Sequence, residues 1–369
     1  MNGHESGFVN YINNPDYLRT LHEPIDPAWA KQVFVERIGR MGLDPSVFAH
    51  VDIEGRSPEF KYVSTPGLSR LENVTVMSDE WVILDEKSAY LNHCVQSPYP
   101  PVSAFFAPFG VMYPKVTQPP VELAVLLGGC KNYCHWLFDF LPRLLMLPEY
   151  LRRVPMLVNG DFTRFQEDSI LALGLQVPLL KLNYPFTCQV RNLLVMNIES
   201  ACTSPPFKAE VVQLVRSAYA HHFSQAPATR KLWISRVSQK HSRLVNSDEA
   251  QALAVAQGFE VVHLEHLPFS EQVRLFSEAA VVAGPHGAGF ANGVFAPPGM
   301  RLIELMSCEF DRFYKPDVMF SFVGQVLGHR VERLIGESVG TCDAHIVNQR
   351  YRIDLDALDD ALAGALVSA

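Results

Sequence analysis

The chain has 369 residues, of which 48% are hydrophobic and 19% charged, and its formal net charge is −8 at pH 7. This length exceeds the roughly 250–300 residues that one hydrophobic core usually serves, so two domains are expected. The composition excludes wholesale disorder. An acidic balance without a basic stripe argues against a nucleic-acid-binding surface.

The N-terminus and the cysteines indicate a compartment. The chain shows no leader that is first basic and then apolar, and no run of about 18 apolar residues, so neither a signal peptide nor a membrane span is expected. Seven cysteines without a CxxC pair are typical of a reducing cytosol. Cys130, Cys134 and His135 offer an alternative as metal ligands, but a second ligand pair is missing and no metal is expected. These patterns predict a cytoplasmic protein.

Predicted elements begin to alternate at Val121, after a stretch that prolines break into strands and turns. Apolar runs predict strands at 121–129, 153–159 and 191–197. Periodic segments predict helices at about 132–147, at 164–175 with Gly174 closing it, and at 205–223.

The polar, proline-containing segment 224–231 predicts a domain boundary, after which the same alternation returns. Strands are predicted at 231–236, 259–265, 280–284 and 301–305, and helices at 246–259, 270–279 and 354–367. Alternating strands and helices predict parallel sheets covered on both faces. We therefore expect an α/β protein whose two Rossmann-like domains face each other across a cleft. The predicted divisions are 1–224 (irregular to 120), 225–340, and a tail with a helix at 341–369.

The stretch "AGPHGAGFAN" follows a predicted strand and precedes a short helix. Ligands of open parallel sheets bind beyond the carboxyl ends of the strands. Bare glycine backbone and the amides of a helix N-terminus suit phosphate oxygens. The predicted contacts in this loop are Gly284, His286, Gly287, Ala288, Gly289 and Asn292. The alternative is a tight strand-to-helix turn with a structural histidine.

This loop differs from two other phosphate-binding motifs. A Walker A loop requires Gly-Lys-Ser/Thr, which is absent. A dinucleotide fingerprint is nearly met by Gly287, Gly289 and Asn292, with Glu304 where a ribose-binding acid would lie. However, the third glycine is an asparagine and Pro297 cuts the helix short. An NAD-dependent oxidoreductase therefore stays as an alternative.

Polar residues also follow two other predicted strands. Ser235 and Arg236 end one strand and Arg243 lies in the loop after it, where guanidinium groups would bind phosphate oxygens with paired hydrogen bonds. Glu265 ends the next strand, in reach of a base or ribose. The alternative is that these side chains are ordinary solvated surface residues.

The segment "KNYCHWLFDFLPRLLML" combines an apolar helix with a polar stripe. At about 100° per residue, four polar side chains share one arc with Trp136 beside them: Asn132, His135, Asp139 and Arg143. A helix that is apolar on its other faces is buried, so the stripe must face a partner or a cleft. His135 and Asp139 are i,i+4 neighbours that suit general-base chemistry. A buried polar network is the alternative, and Pro142 is expected to disturb the helix.

Three segments between Leu123 and Glu304 together resemble glycosyltransferase family 61. They are "NYCHWLFDFLPRLL", "WISRVSQKHSRLVN" and the segment from "GFEVVHLE" through "GPHGAG" to "RLIEL". The family's Asn-x-x-His-x-x-x-Asp pattern falls on Asn132, His135 and Asp139, and its paired arginines on Arg236 and Arg243. Its His-Gly-Ala-Gly falls on 286–289. The sequence departs from the family's Thr-Asn after that loop, since only Asn292 matches.

The resemblance implies an inverting, nucleotide-sugar-dependent transferase of GT-B architecture, with no cofactor and no obligatory metal. Asp139 would take the proton of the acceptor hydroxyl, and His135 is the alternative base or holds Asp139. Asn132, Trp136 and Arg143 would lie near the acceptor or the cleft. The expected acceptor is a glycan or lipid-linked glycan in bacterial capsule, exopolysaccharide or lipopolysaccharide synthesis, with peripheral contact to the inner membrane. A non-catalytic nucleotide-sugar-binding scaffold is the second hypothesis.

Overall fold

The computed structural model describes residues 59–62, 67–77, 83–84, 88–91, 120–129, 131–182, 187–197, 208–236, 243–313, 320–340 and 349–364. These residues form two compact units. Unit 1 takes the described parts of 1–131, 139–163 and 176–200, and unit 2 those of 132–138, 164–175 and 201–369. Cys130 and most of the proline-rich stretch before Val121 lie outside the described residues.

The strands of unit 1 are β1 (Glu59–Tyr62), β2 (Gly67–Met77), β3 (Ile83–Leu84), β4 (Ser88–Leu91), β5 (Val121–Leu126), β6 (Met156–Asn159), β7 (Leu179–Leu182) and β8 (Thr187–Asn197). They form one mixed sheet in the order β1-β4-β3-β2-β8-β5-β6-β7. Strands β8, β5, β6 and β7 are parallel, whereas β2 pairs antiparallel with β8. The predicted parallel arrangement therefore holds among the strands from Val121 onward, and β1 also pairs parallel with β4.

The strands of unit 2 are β9 (Arg230–Ile234), β10 (Glu260–Val262), β11 (Ala279–Pro285), β12 (Arg301–Ser307), β13 (Arg330–Ser338) and β14 (Tyr351–Arg352). Their order is β10-β9-β11-β12-β13-β14, and all neighbours are parallel except β14, which runs antiparallel to β13. This is a doubly wound order in which the chain crosses from β10, on one side of β9, to β11 on the other.

The α-helices are α1 (Tyr133–His135), α2 (Leu141–Met146), α3 (Arg164–Ala172), α4 (Lys208–Ala218), α5 (Ser247–Ala256), α6 (Phe269–Ser277), α7 (Cys308–Phe313), α8 (Phe320–Leu327) and α9 (Leu355–Ala363). The predicted helix closure at Gly174 is confirmed, since this glycine has φ 71°. No helix among the described residues is long and apolar enough to cross a bilayer.

The predicted helix at 132–147 is not one regular α-helix. Trp136–Phe140 form a π-helix between α1 and α2. Pro142 explains the change, because it has no amide hydrogen to donate to the Phe138 carbonyl as a regular helix requires. The even polar stripe predicted at 100° per residue is therefore interrupted.

The hydrophobic core of unit 2 includes the C-terminal segment. Trp233 of β9 and Ile303 of β12 belong to the same buried cluster as Leu358 and Leu362 of α9. Asn246 is the N-cap residue of α5, but its side chain makes no capping bond; it donates to the Ile353 carbonyl and accepts from the Ile353 amide. The chain end is thereby tied to the sheet that carries the glycine loop. Four elements were not predicted from the sequence pattern, namely α7, α8, β13 and β14.

Candidate functional site

The candidate site lies at the carboxyl edge of the unit 2 sheet, where β9 and β11 lie side by side. Ser235 and Arg236 follow β9 directly, and His286 and Gly287 follow β11. The strand order reverses between these two parallel strands, because the chain goes from β9 to β10 on one side and then to β11 on the other. Ligands of doubly wound sheets bind at such a switch point. The fold thus brings together two segments about fifty residues apart in sequence.

A cavity of about 260 Å³ opens at this edge. Its lining includes Tyr133, Phe165, Ser235, Arg236, Leu264, Glu265, Gln272 and 287–289. Ser235 is only 3% exposed, and its hydroxyl has no hydrogen-bond partner among the described residues. A buried hydroxyl without a partner is costly, so Ser235 marks a position where a ligand oxygen would be favoured.

Arg236 lies directly on the glycine loop. Its Nη1 donates a hydrogen bond to the His286 carbonyl at 2.5 Å. A Cβ atom on Gly287 would lie 1.8 Å from that same Nη1, so glycine leaves the space that the guanidinium occupies. Burial lowers the pKa of Arg236, and Tyr351 and Glu265 offset this only in part. A desolvated guanidinium in this position favours an anion beside it.

The His286 side chain does not have the predicted role of a hydrogen-bond donor to phosphate. Its Nδ1 lies 2.5 Å from Oε1 of Glu304, which is 1% exposed. Phe310 and Phe320 pack against the imidazole, with ring centroids 4.5 and 5.6 Å away. His286 is therefore held by Glu304, and its backbone carbonyl contacts Arg236. Glu304, which the dinucleotide alternative would place on the ribose, is buried against His286.

Arg243 borders a second, much smaller space. This cavity of about 10 Å³ is lined by Arg236, Arg243, His286, Ser307 and Tyr351 among others, and it has the size of a single water molecule. The Arg243 carbonyl accepts a hydrogen bond from the Tyr351 amide at 3.0 Å. Both predicted arginines thus lie at the same sheet edge, and Arg236 borders both spaces.

The glycine loop leads into a 3₁₀-helix, Ala288–Phe295, rather than an α-helix. Gly287 precedes it without a side-chain cap, and the Phe290 amide makes the first turn's bond to the Gly287 carbonyl at 3.1 Å. The amides of Ala288 and Gly289 come before that bond, where a helix has no acceptor of its own to offer them. They are suited to an anion.

The other end of this 3₁₀-helix is capped by two residues that sequence analysis did not single out. Arg216 Nη1 donates to the carbonyls of Val294 and Ala296, at 2.8 and 2.6 Å. His329 Nε2 lies 3.0 Å from the Gly293 carbonyl. A cation at a helix C-terminus stabilises the helix dipole. No local motif marks Arg216 or His329, because their partners are 78 and 36 residues away.

Asn292 also differs from its predicted place. It is fully buried, and its Nδ2 donates to Gln272 Oε1 at 2.9 Å while its Oδ1 accepts from the Tyr133 hydroxyl at 2.5 Å. It thus lies behind the cavity wall rather than in it, because its amide is engaged on both sides. Tyr133 and Gln272 line the cavity and were not predicted.

Gly284 serves the sheet rather than a ligand. Its φ is 149°, which L-residues rarely adopt, and a Cβ atom there would lie 2.6 Å from the Ile234 carbonyl oxygen. Glycine at this position lets β11 approach β9 closely. Glu265 was predicted to end a strand, but β10 ends at Val262, and Glu265 lies exposed in the 3₁₀-helix Leu264–His266, where it borders the cavity.

The residues of the helical segment occupy different environments. Asn132 is the N-cap of α1, with Oδ1 accepting from the amides of Cys134 and His135. His135 itself is partly exposed. Trp136 is fully buried and donates to the Ser169 hydroxyl at 2.9 Å, which gives it a packing role in unit 2.

Asp139 and Arg143 belong to unit 1, and both are buried, at 3% and 1% exposure. Arg143 Nε donates to the Asp139 backbone carbonyl at 2.8 Å, and its guanidinium lies over the Phe140 ring. A buried arginine and a buried aspartate are costly and are retained where their charges are compensated or used.

The sequence is similar to known glycosyltransferases. Residues 133–303 match the family Glycosyltransferase 61. The EGF domain-specific O-linked N-acetylglucosamine transferase of Drosophila melanogaster is 32% identical over 94 residues, which are 24% of this chain and 18% of that protein. The beta-1,2-xylosyltransferase of Arabidopsis thaliana is 41% identical over 49 residues, 13% of this chain and 9% of the relative.

A third relative is the protein O-linked-mannose beta-1,4-N-acetylglucosaminyltransferase 2 of Xenopus laevis, 35% identical over 77 residues, 20% of this chain and 13% of the relative. The chain thus covers less than a fifth of the length of each of these three proteins. All three names describe transferases of sugars, and the matched region contains the whole glycine loop. The match to a glycosyltransferase family 61 domain thus covers residues 133–303, which are less than half of the chain.

Proposed function

We propose that this protein is an inverting, metal-independent glycosyltransferase of GT-B architecture that uses a nucleoside-diphosphate sugar as donor and a hydroxyl of a glycan as acceptor. The observation that carries the proposal is the anion-binding character of the cavity at the β9/β11 edge. The family match and the three relatives support the same reaction class.

The donor diphosphate would bind where Arg236, the Ser235 hydroxyl and the amides of Ala288 and Gly289 converge. The guanidinium is desolvated, the hydroxyl lacks a partner among the described residues, and the amides precede the helical hydrogen bonds. Hydrogen-bond donors fixed before the reaction stabilise the charge that develops on a leaving diphosphate. In this proposal Arg236, with Arg243 behind it, supplies the positive charge that a metal ion supplies in other transferases.

The acceptor hydroxyl requires a base, and we assign this role to Asp139, with His135 as the alternative. A positioned carboxylate would take the proton while the hydroxyl attacks the anomeric carbon on the face opposite the diphosphate. The proposed setting is bacterial capsule, exopolysaccharide or lipopolysaccharide synthesis in the cytoplasm, with a lipid-linked acceptor bringing the protein to the inner membrane.

Two other functions make different predictions. A nucleotide-sugar-binding scaffold would need the cavity but not Asp139. An NAD-dependent oxidoreductase would use Glu304 as the ribose-binding acid, whereas Glu304 is paired with His286.

Thermal unfolding against nucleoside diphosphates, nucleotide-sugars and NAD(H), with and without EDTA, tests the donor site. A ligand at about 100 times its dissociation constant stabilises the folded protein by ~2.7 kcal/mol. We expect one diphosphate series to stabilise the protein equally in EDTA. With the donor known, Asp139→Asn should lower turnover by at least about 100-fold with donor affinity retained. Stabilisation by NAD(H) alone would refute the transferase, and full turnover of Asp139→Asn would refute the base.

A further inference from the structure

A one-way chain of hydrogen bonds ends at the cavity wall of unit 2. Gln272 Nε2 lies 2.9 and 3.1 Å from the backbone carbonyls of Leu264 and Leu267. Carbonyl oxygens only accept, so this nitrogen end of the amide must face them and Gln272 Oε1 must face Asn292. These two carbonyls fix the direction of every bond that follows.

The direction of the next two hydrogen bonds follows from that of Gln272. Asn292 Nδ2 donates to Gln272 Oε1 at 2.9 Å, which turns Asn292 Oδ1 toward Tyr133. An amide oxygen also only accepts, so the Tyr133 hydroxyl must donate its proton to Asn292, across 2.5 Å. The phenolic proton is therefore committed to the protein interior.

Tyr133 remains a neutral phenol in this position. Burial raises the pKa of Tyr133 well above 10, and the hydrogen bond with Asn292 offsets this only in part. A phenol that has already donated its single proton keeps only its oxygen lone pairs for any further partner. Tyr133 lines the cavity next to Phe165, and the centroids of the two rings are 5.4 Å apart.

We propose that Tyr133 is a specificity-determining residue of the donor cavity that acts only as a hydrogen-bond acceptor, so that it selects a ligand group carrying an N–H or O–H. This inference rests on the proposed donor site and adds to it the polarity of one contact. Arg236, Ser235 and the glycine-loop amides all offer hydrogens and suit the acceptor-only phosphates. Tyr133 offers none, so it contacts the nucleoside end of the donor.

The network also explains why Asn292 and Gln272 are buried polar residues. Exchanging the oxygen and nitrogen of either amide would put two donors or two acceptors face to face. Buried chains of this kind are favourable only when every member is satisfied. Asn292 and Gln272 are therefore positioning residues, which act on the ligand through the orientation of the Tyr133 proton.

The test compares Tyr133→Phe with Tyr219→Phe by titration calorimetry on the full chain. Tyr219 is also buried in unit 2 and donates to a protein oxygen, the Ser169 carbonyl at 2.8 Å, but it does not line the cavity. The probes are a panel of nucleoside diphosphates and inorganic pyrophosphate. We expect Tyr133→Phe to weaken the best nucleoside diphosphate by about tenfold, the value of one hydrogen bond. Pyrophosphate affinity should change less than twofold, and Tyr219→Phe should leave both unchanged.

A methylated or deoxy analogue that lacks the recognised N–H or O–H should bind wild type and Tyr133→Phe equally. Equal weakening of pyrophosphate by Tyr133→Phe, or unchanged affinity for every nucleoside diphosphate that wild type binds, would overturn this inference and leave the donor site standing. If the wild-type protein binds neither pyrophosphate nor any nucleoside diphosphate, the donor site itself is wrong, and the inference fails with it.

Discussion

Two glycine turns of this protein look alike in sequence and differ in what they leave open. "GGCKN" lies between β5 and α1, and "GPHGAG" runs from the last two residues of β11 into the 3₁₀-helix Ala288–Phe295. Each contains a glycine with positive φ, which is 145° at Gly129 and 149° at Gly284. Both turns join a parallel strand to a helix N-terminus.

The difference lies in how the first helical amides are satisfied. Before α1, the Asn132 side chain accepts from the amides of Cys134 and His135. Before the 3₁₀-helix, Gly287 has no side chain to do so, and Arg236 lies where a Cβ would be. The first helix is capped by its own residue, whereas the second presents amides and a cation at one place. A glycine-rich turn therefore indicates an anion site only when no side chain of the turn accepts hydrogen bonds from the first helical amides.

The largest expected effect concerns the backbone of the second turn. Gly284→Ala would force an alanine into φ 149° and place Cβ 2.6 Å from the Ile234 carbonyl oxygen. We expect the free energy of unfolding to fall by at least about 3 kcal/mol, since strained backbone alone costs 1–3 kcal/mol. Urea unfolding measures this. Gly299→Ala is the control, because Gly299 has φ 86° but nothing within 4 Å of a new Cβ. Equal losses for the two variants would contradict the role of the strand contact.

The substitution of Arg236 tests whether its positive charge at the second turn binds the diphosphate. Arg236→Ala should weaken nucleoside diphosphate binding by about 2–3 kcal/mol, the value of hydrogen bonds between charged groups, with thermal stability little changed. Titration calorimetry in low and high salt measures it. The control is Arg274→Ala, which removes an arginine that is 53% exposed and pairs with Glu278. An unchanged affinity in Arg236→Ala would place the ligand elsewhere.

Two substitutions should distinguish a helix cap, which affects stability, from a ligand contact, which affects affinity. Asn132→Ala removes the cap of α1 and should lower stability by about 1 kcal/mol with diphosphate affinity unchanged. Ser235→Ala should do the reverse: it should weaken affinity by about 1 kcal/mol without loss of stability, since the buried hydroxyl has no partner among the described residues. Chemical unfolding and titration of both variants decide this. Loss of stability in Ser235→Ala would show that the hydroxyl is already satisfied in the free protein.

The smallest effect is a pH dependence at the far end of the 3₁₀-helix. Burial lowers the pKa of His329 from its usual 6.5, and Arg216 adds to this, while the Gly293 carbonyl opposes it. The unfolded chain therefore takes up a proton more readily than the folded protein. Stability is complete above about pH 6.5 and declines as the pH falls below it. His329→Gln should flatten that decline in urea unfolding between pH 5 and 7, whereas replacing the exposed His266 should not. An identical slope in wild type and His329→Gln would contradict this.

The sequence alone determined much of the fold and the approximate place of the candidate site. The period of apolar residues located β5, β9, β11, β12 and the helices between them, because burial on a sheet face or a helix face is a local pattern. The glycines, Ser235 and Arg236 stood out because strand ends are readable from the chain. The family resemblance joined segments that the pattern alone could not connect.

Only the tertiary structure decided which of these residues meet. No local signal marks Tyr133, Gln272, Arg216 or His329, since their partners are supplied by other strands and helices. Glu304 stood out as a strand-end acid, but its pairing with His286 was not predicted. The same holds for Asn292, whose predicted ligand contact became a buried link because α6 passes behind the loop. A one-dimensional pattern records which residues are buried, but hydrogen-bond direction depends on which acceptors the fold places opposite each donor. For that physical reason the sequence predicted an anion-binding loop, and only the fold decided the direction of the hydrogen bonds in the cavity wall.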